Sequence, residues 1–408
     1  MSTQVVDCAP IGCVDVDDAG VLEAHRLLTG GEATAHAMRQ IDPDVVPVYP
    51  ITPQTPIIQA FSQMVADGEA TGSVINVESE HSAMSAAIGS ATSGARTMTA
   101  TASQGMALMV ENVYIAASMR LPIVMAVGNR ALSGPINIHC DHSDGMLARD
   151  SGFIQLYVES AQEAYDFMVI APRIAEHPDV LLPVMIGQDG FTITHTAEPV
   201  ELLEDVVVKR FVGEYRIPHP LLDLDQVTTQ GPFDMPDYYF EHKRAQHDAM
   251  ANALSVAGDV VAEFAEMSGR SYDLVESYRL DDADRAIVAI GSSCGTVKDT
   301  VDEMREAGER VGLLEIRLFR PFPHDAVASA LDGVNRVAVL DRAMSFGSYG
   351  PLYSEVASAL FGSDSCLRNY VYGLGGRDLL PRHVRQVFAE MELFDEPTGE
   401  MRFIGVRE

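Results

Sequence analysis

Four short loop-like stretches of this sequence carry a hydroxyl, a carboxylate, a side-chain amide and a guanidinium. Together these groups could bind and activate a small anionic substrate. The stretches are Tyr49-Pro50-Ile51-Thr52-Pro53, Val77-Glu78-Ser79-Glu80-His81-Ser82-Ala83, Thr101-Ala102-Ser103-Gln104-Gly105 and Gly128-Asn129-Arg130-Ala131-Leu132-Ser133. Arg130 ends an apolar run, and an Arg there needs a partner. A 2-oxoacid carboxylate suits its planar fork, and so does an internal Asp. Glu80 stands at the expected start of a helix, where free N–H groups and the dipole favour an acid. It reads either as a plain helix-start acid, a part Glu78 could also play, or as a buried acid poised to exchange a proton with a heterocycle. Ser103 and Gln104 add a hydroxyl and an amide beside free backbone N–H groups. His81 and His142 have no companions at zinc spacing and read as satisfied polar residues.

The segments around these stretches alternate between strand and helix patterns. Val45–Tyr49, Ser73–Val77, Thr97–Thr101, Pro122–Val127 and Leu182–Ile186 read as short apolar strands. Glu80 to Ser93 and Gly105 to Met119 read as helices. Such alternation indicates an α/β domain with a parallel sheet, whose ligands collect at the carboxyl ends of the strands. All four stretches would leave the same edge. Residues 21–200 are taken as this first domain. Residues 201–283 hold Pro218, Pro220, Pro232 and Pro236, then a long amphipathic helix over Tyr238 to Met267, and are taken as a connector on the surface. Residues 284–408 return to the alternation, with strands expected at Ala286–Ile290, Val311–Leu318 and Arg336–Leu340, and form a second, smaller α/β domain. Gly373-Leu374-Gly375-Gly376 has no βαβ unit after it and reads as a turn rather than a dinucleotide loop.

Composition narrows the function classes. Lys+Arg is 28 against Asp+Glu 59, a net charge of −31, and the only lysines are Lys209, Lys243 and Lys298. Such a surface repels phosphate backbones and anionic membranes, so neither nucleic acid nor a membrane is an expected partner. Residues 1–20 have neither a basic start nor a long apolar core, and read as a mobile acidic leader of a cytoplasmic protein. The five cysteines form no Cys-x-x-Cys pair and no cluster spacing. Electrons, if moved, must be carried by another chain or a bound cofactor.

Longer motifs extend the four stretches: Tyr49–Pro56 (YPITPQTP), Val77–Met84 (VESEHSAM), Thr99–Met109 (TATASQGMALM) and Met125–Asp144 (MAVGNRALSGPINIHCDHSD). Ala148–Tyr157, Arg320–Pro323 and Gly373–Asp378 complete an ordered set from about Leu22 to the end. This set resembles the α subunit of the 2-oxoacid:ferredoxin oxidoreductases, and among them the multi-subunit pyruvate:ferredoxin oxidoreductases. The resemblance implies a pyrimidine-type thiamine diphosphate-binding domain followed by a smaller transketolase C-terminal-like domain. It implies thiamine diphosphate shared with a β subunit, with Mg²⁺ and [4Fe–4S] clusters held by partner subunits, γ and δ (ferredoxin-like) chains among them. By motif position Glu80 would hydrogen-bond the aminopyrimidine N1′ of the cofactor, with Ser103 and Gln104 also on the cofactor side. Thr52 and Arg130 would bind the carboxylate of pyruvate. The implied reaction is oxidative decarboxylation of pyruvate with coenzyme A to acetyl-CoA and CO₂, reducing ferredoxin through the partners, and active only in the assembled enzyme.

Ser133 and Gly134 after Arg130 favour a small oxoacid, whereas His139, Cys140 and His142 depart from the commonest pattern. The alternatives are a 2-oxoisovalerate or oxalate relative, or a non-catalytic module that keeps the fold. A standalone Rossmann dehydrogenase is disfavoured, because no GxGxxG follows the first strand.

Overall fold

The computed structural model describes residues 22–393 and 401–407; the leader expected over 1–20, with Cys8 and Cys13, lies outside the described residues. Strand β1 (Leu22–Thr29) leads into α1 (Gly30–Ile41) through a capping box. The Thr29 hydroxyl accepts from Glu32 N at 3.2 Å, and the Glu32 carboxylate accepts from Thr29 N at 2.9 Å. Then come β2 (Val45–Val48), α2 (Thr55–Ala66), β3 (Ser73–Asn76), α3 (Glu80–Thr92), β4 (Met98–Thr101), α4 (Ser103–Ser118) and β5 (Val124–Asn129). A short α5 (Ser143–Leu147), β6 (Ile154–Tyr157), α6 (Ala161–Ala175), β7 (Val184–Asp189) and β8 (Ala197–Leu203) follow.

Strands β4, β5, β6 and β7 are buried along their whole lengths. β4, β5 and β7 are the three that read as apolar runs in the sequence; β6, IQLY with Gln155 inside it, is not among them. β4 pairs with β5, β5 with β7 and β7 with β6, all parallel. β2 and β3 form a parallel pair, and a parallel bridge from Val45 to Thr97 carries it onto the β4 side. The carboxyl ends of β2, β3, β4 and β5 therefore share one edge, as the sequence pattern implies. β1 and β8 pair antiparallel beside this sheet.

The chain continues through α7 (Asp205–Val212), α8 (Tyr239–Ser268) and β9 (Val275–Tyr278) into β10 (Arg285–Ala289), α9 (Ser293–Glu306), β11 (Val311–Ile316) and β12 (Leu318–Arg320). It ends with α10 (His324–Ala330), β13 (Arg336–Asp341), α11 (Pro351–Ala359), β14 (Cys366–Val371), α12 (Pro381–Met391) and β15 (Met401–Phe403). The second sheet has the order β15-β14-β13-β10-β11-β9, parallel except for β9 at one edge.

Two expectations about elements need correction. The long helix is more than a surface connector: Ala249, Ala253, Val256, Ala257, Val260, Val261 and Phe264 of α8 are buried in the core of the first sheet. The apolar run Val311–Leu318 is not one strand. Arg317 interrupts it, and β12 leaves the second sheet to pair antiparallel with β6 in the first. Arg317 is buried among Glu163, Glu276 and Glu315, at 2.8, 2.6 and 3.2 Å. The crossing therefore places one charged network between the two sheets.

Candidate active site

The loop that leaves β5 is pinned by a residue the sequence reading passed over. Asp144, fully buried in α5, accepts from Ser103 N at 2.8 Å, Arg130 N at 2.9 Å, Asn129 Nδ2 at 2.9 Å and Gly145 N at 2.7 Å. One carboxylate thus joins the amino end of α4 to the carboxyl end of β5. Burial pushes its pKa up to about 6, against the pull of the bonds from Asn129, Ser103 and Arg130. The available signal was an acid at the close of the long Met125–Asp144 motif, amid residues that must fold back over a buried edge.

Arg130 follows β5 directly and is 7 % exposed. Its Nε donates to Asn137 O at 2.9 Å and its Nη1 to Thr52 O at 3.0 Å. Among the described residues no carboxylate bonds its guanidinium; Asp144 reaches only its main-chain N–H. The guanidinium is thus aimed by two carbonyl oxygens, and the positive charge is left to meet an anion. Thr52, exposed on the loop after β2, is brought against Arg130 by this bond.

Glu80 opens α3. Ser79 caps that helix, its side chain accepting from Ser82 N at 3.2 Å. The structure separates the two acids that the sequence left equivalent. Glu78 is exposed, and the Ser82 hydroxyl bonded to its carboxylate lowers its pKa. Glu80 points inward, only 6 % exposed. A Cβ on Gly105 would lie 2.8 Å from both Cγ and Oε1 of Glu80 and 2.5 Å from Thr101 Oγ1, so only glycine lets α4 approach this closely. Among the described residues, Thr101 Oγ1 is buried there without a hydrogen-bond partner. A buried acid beside an unpartnered hydroxyl fits a polar heterocycle that offers both donors and acceptors.

Ser103 has a left-handed backbone, with φ 47°. Its hydroxyl lies 2.5 Å from Ala131 O and 2.6 Å from Gln104 Oε1, so it is engaged within the loop cluster. Gln104 is half-buried beside it. Thr52 and Arg130 meet through the loop after β5. Ser103 reaches the same loop, and Glu80 packs against the first turn of α4. His81 is half-exposed, its Nε2 3.7 Å from Glu111. His142 is buried, its Nε2 2.6 Å from Asp189.

Asp189 closes β7 next to Asn129 and also takes Arg342 Nη1 at 2.7 Å and Ser292 Oγ at 2.5 Å, both from the second sheet's side. Burial raises its pKa, but His142 and Arg342 outweigh that and hold it well below the usual carboxylate range. Cys140, His142 and Asp189 lie close enough to resemble a metal cluster. A guanidinium already balances Asp189, and burial keeps the Cys140 thiol protonated, so the cluster acts as an inter-domain pin.

The family profile described as "Pyruvate flavodoxin/ferredoxin oxidoreductase, thiamine diP-bdg" matches residues 36–261, and "Pyruvate:ferredoxin oxidoreductase core domain II" matches residues 283–384. The chain is 56 % identical over 383 residues to the pyruvate synthase subunit PorA of Thermotoga maritima, covering 93 % of this chain and 98 % of that one. It is 48 % identical over 386 residues to the subunit of that name in Methanocaldococcus jannaschii, covering 94 % and 98 %. It is 40 % identical over 377 residues to the alpha subunit of an NADH-dependent phenylglyoxylate dehydrogenase of Aromatoleum evansii, covering 90 % of each. Among solved structures, a 2-oxoglutarate:ferredoxin oxidoreductase from Magnetococcus marinus superposes with a TM-score of 0.67 at 18 % identity, covering 95 % of this chain and 68 % of that one, which is a likeness of fold.

Proposed function

This chain belongs to the pyruvate flavodoxin/ferredoxin oxidoreductase family, and from that premise we propose that it works as the α subunit of a pyruvate synthase. The reaction is oxidative decarboxylation of pyruvate with coenzyme A to acetyl-CoA and CO₂, with reduction of ferredoxin. The observation that carries the reading is Arg130: a buried guanidinium held by two carbonyl oxygens, with no carboxylate on it among the described residues.

The residues divide the work. Arg130 has five N–H donors and gives two of them to Asn137 and Thr52, so the rest can receive a 2-oxoacid carboxylate. Thr52, on the exposed loop beside it, offers its hydroxyl to the same substrate. Asp144 orients the main chain on both sides of this pocket. Glu80 holds or passes a proton at the pyrimidine side, with Gly105 keeping the space beside its carboxylate narrow and Thr101 offering a hydroxyl. Thiamine diphosphate, when bound, supplies the nucleophilic carbon and the electron sink that decarboxylation of a 2-oxoacid requires.

A β subunit completes the site, supplying the diphosphate grip, Mg²⁺ and [4Fe–4S] clusters. Support comes from the sequence, where no Cys-x-x-Cys pair or cluster spacing offers iron ligands. Ferredoxin docking is assigned to the partners for an electrostatic reason. Ferredoxins are usually acidic, and a chain at −31 repels them.

The test is an anaerobic assay of the co-purified complex with a viologen dye, coenzyme A and a panel of 2-oxoacids. Pyruvate is expected to turn over fastest; a clear preference for a branched or aromatic oxoacid overturns the substrate assignment. The 408-residue chain alone is expected to be inactive. Decarboxylation of pyruvate by that chain with thiamine diphosphate would refute the shared site.

A further inference from the structure

The turn Gly373–Gly376 follows β14 in the second sheet, yet it docks on the loop that leaves β5 in the first. Gly375 O accepts from Asn137 Nδ2 at 3.0 Å. Gly376 N donates to Cys140 O at 2.6 Å. On the other flank, Arg342 donates its Nε to Gly373 O at 3.3 Å while its Nη1 holds Asp189 at the end of β7. Gly375 and Gly376 have φ of 62° and 82°, a region other residues avoid. A Cβ at Gly375 would fall 2.4 Å from Asn137 Nδ2, and one at Gly376 2.3 Å from His139 Cβ. The glycines are needed both for the turn and for the closeness of the contact.

These contacts converge on Asn137. Its Oδ1 accepts from His139 N at 2.7 Å, and Ala131 N donates to His139 O at 3.0 Å, closing the base of the loop. The main-chain carbonyl of the same Asn137 accepts from Arg130 Nε at 2.9 Å. The side chain is therefore tied to the second domain while the carbonyl aims the guanidinium.

We infer that Asn137 is a positioning residue: it converts the docking of the Gly373–Gly376 turn into the orientation of Arg130 toward the 2-oxoacid carboxylate. The inference rests on the reading of Arg130 as the carboxylate-binding group. It also gives the second domain a part in substrate binding, although none of its side chains need touch the substrate.

The test uses the complex co-expressed with its partner subunits and reads KM for pyruvate, kcat and melting temperature for Asn137→Ala, Asn137→Asp, Gly376→Ala, Arg130→Ala and the double variant Arg130→Ala/Asn137→Ala. Asn137→Ala is expected to raise KM about ten- to hundredfold, with kcat held within about twofold. Asn137→Asp keeps the acceptor for His139 N but sets a carboxylate oxygen against Gly375 O, and should raise KM in the same way. Gly376→Ala should do so by displacing His139. Because Asn137 acts through Arg130, the double variant should be no worse than Arg130→Ala alone. An unchanged KM in Asn137→Ala, effects that multiply in the double variant, or a lowered melting temperature without a KM change would each overturn the inference. If Arg130→Ala itself leaves KM unchanged, the reading of Arg130 fails first.

Discussion

At the scale of single residues, the site depends on which polar atoms find partners inside the chain and which do not. Asp144 and Ser103 are fully engaged, so they build the pocket. Glu80 and Arg130 are also buried but lack a charged partner among the described residues, so they remain available for chemistry. Glu80→Gln keeps the shape and removes the proton-accepting carboxylate. It is expected to leave assembly with the partner subunits intact, as read by gel filtration. Turnover of pyruvate should fall by about 10²–10⁴-fold, the usual reach of acid–base catalysis. Unchanged turnover would remove Glu80 from the proton path.

At the scale of elements, α4 decides how tightly Glu80 is held. Its first turn comes close to α3 because residue 105 is glycine. In Gly105→Ala the new methyl group must displace either Glu80 or Thr101, and overpacking of this kind costs about 1–3 kcal/mol. Turnover should fall toward that of Glu80→Gln, while KM for pyruvate changes much less, because the Arg130 guanidinium is aimed by Asn137 O and Thr52 O, neither of which lies on α4. Full activity in this variant would mean that the close approach has no bearing on Glu80. The elements around this contact are legible from their patterns: β4, β5 and β7 as apolar runs, α3 and α4 as the helical segments on either side of β4. The break within Val311–Leu318 is not legible in the sequence, because nothing local tells a chain that residues either side of Arg317 will pair in different sheets.

At the scale of the whole molecule, the two sheets are held together by charge as well as by packing. Arg317 and Lys298 lie among Glu159, Glu163, Glu276 and Glu315, with Lys298 Nζ 2.6 Å from Glu159 and 2.8 Å from Glu315. Burial raises the pKa of Glu163 and Glu315 while Arg317 opposes it. Removing Arg317 strands buried carboxylates, so Arg317→Ala is expected to destabilise the protein by about 3–5 kcal/mol. The chemical denaturation midpoint reads this. Arg244→Ala, which breaks an exposed helix pair with Asp248, should leave the midpoint where it is. Equal midpoints for the two variants would mean that the buried network carries no net stability.

The sequence alone determined the α/β class, the shared carboxyl edge and the identity of Thr52, Glu80 and Arg130 as residues to watch. Residue types and alternation are local properties, and the ordered motifs preserve them in line. Tertiary structure decided the rest: which of Glu78 and Glu80 turns inward, that Asp144 ties two loops together, that α8 joins the first core, and that a glycine turn more than 200 residues away lies against Asn137. Each of these depends on a partner distant along the chain. Burial and hydrogen bonding act through space, so a pattern read along the backbone identifies the groups but not the neighbours that give them their roles.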